Sequence, residues 1–267
     1  MTISDASDNF TSEERQALYK IILERRDIRS FKKVPIPDDA LGRIIQAAHQ
    51  GPSVGFMQPW DFIMIKSIEI RTKVKELFER ERQAAAVFFD EPQRSHYLSL
   101  KLEGILESPV NICITCDPFR GGVVLGRNSI PETDVYSTCC AIQNLWLAAR
   151  AEGIGVGWVS ILKQMQLRKI LGIPNHIVPV GYLCLGYPTE FPKRPTLEEV
   201  GWRSRINIEE LIHFESWGQK VAKSGRNSQI YYQMENKVEN PEVKSPLYFL
   251  QLQSRHTLED FQVIYLC

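Results

Sequence analysis

Apolar positions along this chain follow two periods, one near 3.6 residues and one near 2. Leu18, Ile21 and Ile22 fall on one helical face. Thr11-Ser-Glu-Glu14 precedes them and reads as a capping box, in which a Thr hydroxyl and a Glu carboxylate each satisfy the other's free backbone N–H. The pattern predicts a helix that carries on to residues 24–27. Pro35 and Pro37 break it. Asp38 then opens a second helix, with Leu41, Ile44, Ile45 and Ala48 at i, i+3, i+4 and i+7, closed by Gly51-Pro52. Residues 61–66 read as a strand, 68–89 as a charged helix, and 96–107 as a helix stopped by Ser108-Pro109. VNICITC, 110–116, has the β-branched content of a strand. The stretch 117–131 has three glycines, two prolines and two arginines and is expected to be a loop. A long helix is expected over 133–152, with Thr133 or Asp134 as its cap. Its middle is apolar nearly all round, which predicts burial. A glycine-punctuated strand follows Gly153–Gly157, then a short helix over 163–171, a buried strand over 177–186, and a helix near 207–217.

Strands and helices mix without a regular βαβ alternation. That favours an α+β domain around a central sheet over a doubly wound parallel fold. Beyond residue 218 the character changes: polar and rich in Asn, Gln and Lys to about 245, then apolar in patches. The expected organisation is one domain over 1–218 and a C-terminal extension over 219–267. The extension is read either as partly disordered or as an arm that wraps a partner.

Composition narrows the partners. Lys plus Arg is 32 and Asp plus Glu is 32, a formal net charge of zero. A nucleic acid is therefore not an expected partner, although a local basic site is compatible with this balance. No apolar run approaches the ~18 residues of a membrane span, so no membrane partner is expected. The first 16 residues have neither a basic nor an apolar leader region, and a cytoplasmic location is the expectation. Of six cysteines, Cys113 and Cys116 form a CxxC. No second pair matches them, and a spacing of three puts the two thiols on opposite faces of a strand. They read as buried free thiols, with a redox pair as the alternative. The five histidines show no metal-ligand spacing, and no metal site is expected.

Three clusters could carry chemistry. Arg25, Arg26 and Arg29 stand within five residues at a helix end, where a guanidinium can bind phosphate or complement the helix dipole. Asp27 among them is either a salt-bridge partner or a general base. The loop GPSVGFMQPW, residues 51–60, has small residues (Pro52, Ser53, Gly55) that let a flat ligand lie close. Gln58 offers an amide, and Pro59-Trp60 anchors the strand. The alternative is a turn packed by Trp60. In GIGVGWVS, residues 153–160, the glycines lead from a helix into a strand, the reverse of a dinucleotide fingerprint. They read as close-packing residues. Ser160 reads as a satisfied hydroxyl at a strand end, with no nucleophile elbow around it.

Together RRDIRSF, PSVGFMQPW, SLKLEGILESPVNICITCD, GIGVGWVSI and the stretch 183–218 resemble the flavin-dependent nitroreductase fold. More narrowly, they resemble its 5,6-dimethylbenzimidazole synthase branch. The resemblance runs in unbroken order from about residue 14 to 218. Many nitroreductases have SxxNxQPW; here Phe56 stands where their Asn meets the flavin.

The resemblance implies a homodimer with a mostly antiparallel central sheet flanked by helices and FMN bound near the subunit interface. Reduced FMN would be consumed with O2, its dimethylbenzene part becoming 5,6-dimethylbenzimidazole, the lower ligand of cobalamin. A flavin reductase would supply the FMNH2. Flavin-contacting residues carried over by the resemblance are Arg25, Arg26, Asp27, Ile28, Arg29, Pro52, Ser53, Gln58, Leu100, Gly157, Trp158 and Ser160. Among them the Arg cluster takes the phosphate, and Asp27 and Ser160 are the catalytic pair. Segment 80–97 is read as a lid, or as a surface helix packed on a second subunit. Two other readings stand beside this one: an NAD(P)H-dependent FMN nitroreductase, and a flavin-binding protein without turnover.

Overall fold

A computed structural model describes residues 10–220. The chain divides into two units, Met1–Thr196 and Leu197–Cys267, each described by itself below. The extension from 221 onward, Cys267 included, lies outside the described residues.

In the first unit the capping box forms as expected. The Thr11 backbone N–H donates to Glu14, and the Glu14 backbone N–H donates to the Thr11 hydroxyl, opening α1 (Ser12–Glu24). The helix stops three residues before the expected end, because residues 27–28 are drawn into pairing with a strand. α2 (Asp38–His49) buries Ala40, Leu41, Ile44 and Ala48. β1 (Trp60–Ile65), α3 (Ile68–Ala86) and β2 (Val110–Cys116) fall where the pattern places them.

The helix expected over 96–107 does not. The structure has a short α4 (Gln93–Ser99), after which the chain is non-helical. Gly104 there packs so tightly on Phe31 and the Arg29 carbonyl that a Cβ would lie 2.6 Å from the Phe31 ring and 2.8 Å from that oxygen. Long-range packing thus overrides the local apolar period. α5 (Thr133–Ala151) follows the loop. Its cap is Glu132, neither Thr133 nor Asp134, because Asp134 is buried inside the helix on Arg127. β3 (Gly155–Val159), α6 (Gln164–Leu171) and β4 (Val178–Gly186) complete the unit's core. α7 (Thr196–Glu199) is a single turn. In the second unit the helix expected near 207–217 is also one turn, α8 (Ile208–Leu211).

The four strands form one antiparallel sheet in the order β1-β2-β4-β3. Alternation along β2 divides the core. Val110, Ile112 and Ile114 join α2 and α5 on one face, while Cys113 joins Val74, Leu77 and Phe78 of α3 on the other. α5 is therefore buried along Ala141, Ile142, Leu145, Trp146 and Ala149, as its composition predicts. The two CxxC thiols point to opposite faces. Cys113 joins the α3 side, and Cys116 bonds Thr138 of α5. Burial pushes Cys113 up to about 12 and Cys116 up to about 11, so neither is a thiolate near neutral pH.

Candidate active site

The end of α1 decides where the arginines go. Arg25 leaves the helix in extended backbone (φ −60°, ψ 134°), and the chain then runs beside β3. Asp27 and Val156 form a parallel bridge, and the Ile28 N–H donates to the Val156 carbonyl at 2.9 Å. Asp27 Oδ1 accepts from the Trp158 backbone N–H at 3.0 Å. Arg29 Nη2 donates to the Trp158 carbonyl at 2.6 Å and also pairs with the Asp27 carboxylate. Seating this close needs a glycine at 157, where any Cβ would overlap the Ile28 carbonyl oxygen. Asp27, Ile28, Arg29, Gly157 and Trp158 are thus one cluster. Ser160 lies just past the end of β3, exposed. Among the described residues only its carbonyl is engaged, by the Leu162 N–H at 2.8 Å.

Burial raises the Asp27 carboxyl above its ordinary range. The charges of Arg29 and Arg25 and the Trp158 N–H pull the other way and do not win. Yet 41% of the Asp27 side chain remains open. A carboxyl crowded by protein but reachable from outside can exchange a proton with a ligand.

The three arginines do different work. Arg26 donates to the carbonyls of Leu23 (2.7 Å), Arg25 (2.8 Å) and Lys193 (2.5 Å) and so closes the helix end. Arg29 is tied to Asp27, and its buried Nη1 has no hydrogen-bond partner. Arg25 lies over the Trp146 ring, 4.8 Å from its centroid, and among the described residues its guanidinium makes no hydrogen bond or ion pair. Its planar fork is the one left for an anion.

The second group is the 52–58 loop. Val54–Phe56 make one 3-10 turn, and Gly55, Phe56 and Gln58 all have positive φ (50°, 56° and 50°). For an aromatic residue that backbone costs about 1–3 kcal/mol and persists only where the surroundings impose it. Here they do. The Val54 N–H donates to Ser137 Oγ and the Gln58 N–H to Ser53 Oγ, each at 3.0 Å. A Cβ at Gly55 would meet Val124 at 2.6 Å and the Leu125 carbonyl at 2.9 Å. Trp60 is buried, with its indole N–H donating to His49 Nδ1 at 3.2 Å. Pro52 is exposed, and Phe56 stands out of the loop, 83% exposed.

The two groups share one end of the sheet but not one edge. β1 begins and β3 ends there, and these are the outer strands. Three strand spacings separate them, about 14 Å. Leu100 is buried at the end of α4, and its neighbour Lys101 reaches Ser30 Oγ at 3.1 Å. The 80–97 segment is pinned beside it. Arg82 donates to the carbonyls of Leu98 and Leu100, and Arg94 to those of Ala86 and Phe89. Phe88 points outward at its tip.

Sequence reasoning passed over Ser137, Trp146 and Arg120. Only Arg120 left a trace, as an arginine in a loop of glycines. Among the described residues no His, Cys, Asp and Glu cluster could hold a metal ion, and no helix is long and apolar enough to cross a membrane.

Residues 22–187 match the Nitroreductase family model. The chain is 40% identical over 192 residues to a 5,6-dimethylbenzimidazole synthase of Rhodospirillum rubrum, covering 72% of this chain and 91% of that one. It is 36% identical over 203 residues to one of Rhodobacter capsulatus, covering 75% and 98%. Among solved structures, oxidized iodotyrosine deiodinase bound to FMN and 3-iodo-L-tyrosine superposes with a TM-score of 0.60 at 19% identity, over 75% of this chain and 100% of that one, a likeness of fold. The chain therefore belongs to the nitroreductase family, in the branch of the 5,6-dimethylbenzimidazole synthases.

Proposed function

We propose that this chain is a 5,6-dimethylbenzimidazole synthase that takes FMNH2 as a substrate and, with O2, fragments it to 5,6-dimethylbenzimidazole. The observation that carries the reading is Asp27: a carboxyl raised by burial, still open on one side, and oriented by the Trp158 N–H. The sequence relatives of that name support it. The residues present fit FMN. Arg25 has a free fork for the phosphate, Arg29 has an orphaned buried Nη1, and Pro52 is exposed on the 52–58 loop where a flat ring would lie.

Reduced flavin supplies the electrons and the aromatic carbons, and O2 is the oxidant. The protein's part is to bind, to orient and to move protons. Asp27 takes or returns a proton on the exposed side of its carboxyl, and the Arg29 pair keeps its carboxylate form accessible. The exposed Ser160 hydroxyl, two residues beyond Trp158, relays a proton. Pro52, Ser53 and Gln58 form a wall with Phe56, and the 80–97 segment acts as the lid that excludes water.

A homodimer follows from the same reading. α1 has no buried residue, and Leu18, Tyr19, Ile22 and Leu23 are exposed on it. Two copies would let the 52–58 loop of one meet the Asp27 group of the other. A flavin reductase supplies FMNH2, and the setting is the cytoplasm. Phe56, in place of an amide, sets this site apart from an NAD(P)H-dependent nitroreductase. Aerobic incubation with FMNH2 tests the proposal: the benzimidazole is expected to accumulate as flavin disappears. FMN recovered intact would favour a nitroreductase or a flavin-binding protein without turnover.

A further inference from the structure

Three consecutive carbonyls, those of Gln58, Pro59 and Trp60, are met by a single turn of the 117–131 loop. The Asp117 N–H donates to Pro59 at 2.8 Å. One nitrogen of Arg120, Nη1, donates to both Gln58 and Trp60, each at 2.9 Å. Nη2 of the same guanidinium reaches Asp61 at 2.6 Å. The turn is itself fixed, since the Phe119 N–H donates to Asp117 Oδ1 at 2.9 Å. The β1–β2 ladder begins only at the Trp60–Cys116 pair, so Gln58 and Pro59 lie beyond its reach. Among the described residues Arg120 is the donor to the carbonyl of Gln58, a residue with a φ of 50°. The Arg120 side chain is about one-third exposed and Asp61 half exposed, so the ion pair alone contributes little. The guanidinium's contacts with the two carbonyls are what fix the backbone.

We propose that Arg120 is a positioning residue. It holds Gln58 in the left-handed conformation and so sets where Ser53, Phe56 and Gln58 stand in the flavin site. The inference rests on the flavin reading given above. It predicts a particular ranking of variants, because both carbonyls are reached from one nitrogen. A Lys ammonium can donate to both, whereas a Met of similar length can donate to neither.

The test uses full-length protein, oxidised FMN for binding by fluorescence quenching, and FMNH2 for turnover. R120M is expected to bind FMN about tenfold more weakly than wild type, the equivalent of releasing one strained residue. Its KM for FMNH2 should rise in step while kcat stays within about threefold. R120K should recover most of the loss, and D61N, which keeps the carbonyl contacts, should match wild type. Thermal melts of each variant separate these changes from loss of fold. If R120M does not fold, D117A carries the test: it breaks the turn that presents Arg120 and is expected to weaken FMN binding in the same direction. Wild-type affinity in R120M or D117A would overturn the proposal, as would R120K binding as weakly as R120M. Wild-type protein that binds no FMN would instead overturn the flavin reading itself.

Discussion

At the scale of single residues, Asp27, proposed above as the proton-transfer group, opposes stability. Its carboxyl is raised by burial, so the folded state holds its proton more tightly than the unfolded chain does. The sign follows. Its contribution to stability is fully present below the ordinary carboxylate value of 3.8 and is lost as pH rises through the raised folded value. At neutral pH the ionised carboxylate is therefore a net cost. Asp27→Asn keeps an oxygen for the Trp158 N–H and removes that cost. Thermal melts should show D27N no less stable than wild type at pH 4 and gaining on it as pH rises. The same variant should bind FMN normally and lose product formation by at least about 10²-fold, the usual weight of a general base. Normal product formation would remove Asp27 from its role. Asp27 was legible in the sequence as a carboxylate among arginines. What raises its pKa was not, because the crowding comes from β3, some 130 positions along the chain. Arg25 shows the same limit. Three arginines looked equivalent on paper, and only tertiary packing shows Arg26 closing a helix and Arg25 left free over Trp146.

At the scale of elements, local pattern located most of the helices and strands and misjudged those that distant contacts reshape. The capping box, α2, β2 and β4 depend on neighbours in sequence and were readable. α1 ends early because its next residues pair with β3. The helix read over 96–107 is lost because Gly104 must lie against Phe31. Such constraints leave only a glycine as their sign. Gly157 is the sharpest case. Gly157→Ala would drive a methyl into the Ile28 carbonyl, parting the 27–29 segment from β3. A loss of about 3 kcal/mol or more is expected in chemical denaturation, at the upper end of overpacking costs. The 52–58 loop predicts the opposite outcome. Phe56 is almost free of packing, and Asn adopts positive φ more easily than Phe. Phe56→Asn should therefore be no less stable than wild type and up to about 1 kcal/mol more stable, as strain is relieved and little packing is lost. Any change it makes in FMN binding or product yield then belongs to the site and not to the fold.

At the scale of the whole molecule, the fold class was legible early, since strands and helices mixed without alternation and the sheet is antiparallel throughout. What no single-chain pattern announces is that the two site groups lie on opposite sheet edges. If two copies complete each site, sedimentation should give about twice the 30.7 kDa of one chain. Charges on the exposed face of α1, as in Ile22→Glu with Leu23→Glu, should then lower both the dimer fraction and FMN affinity together. The central claim is that flavin is consumed. Mass spectrometry of the products from wild-type protein, FMNH2 and air tests it most directly. The expected result is 5,6-dimethylbenzimidazole appearing as flavin is lost; full recovery of FMN after repeated cycles of reduction and aeration would contradict it.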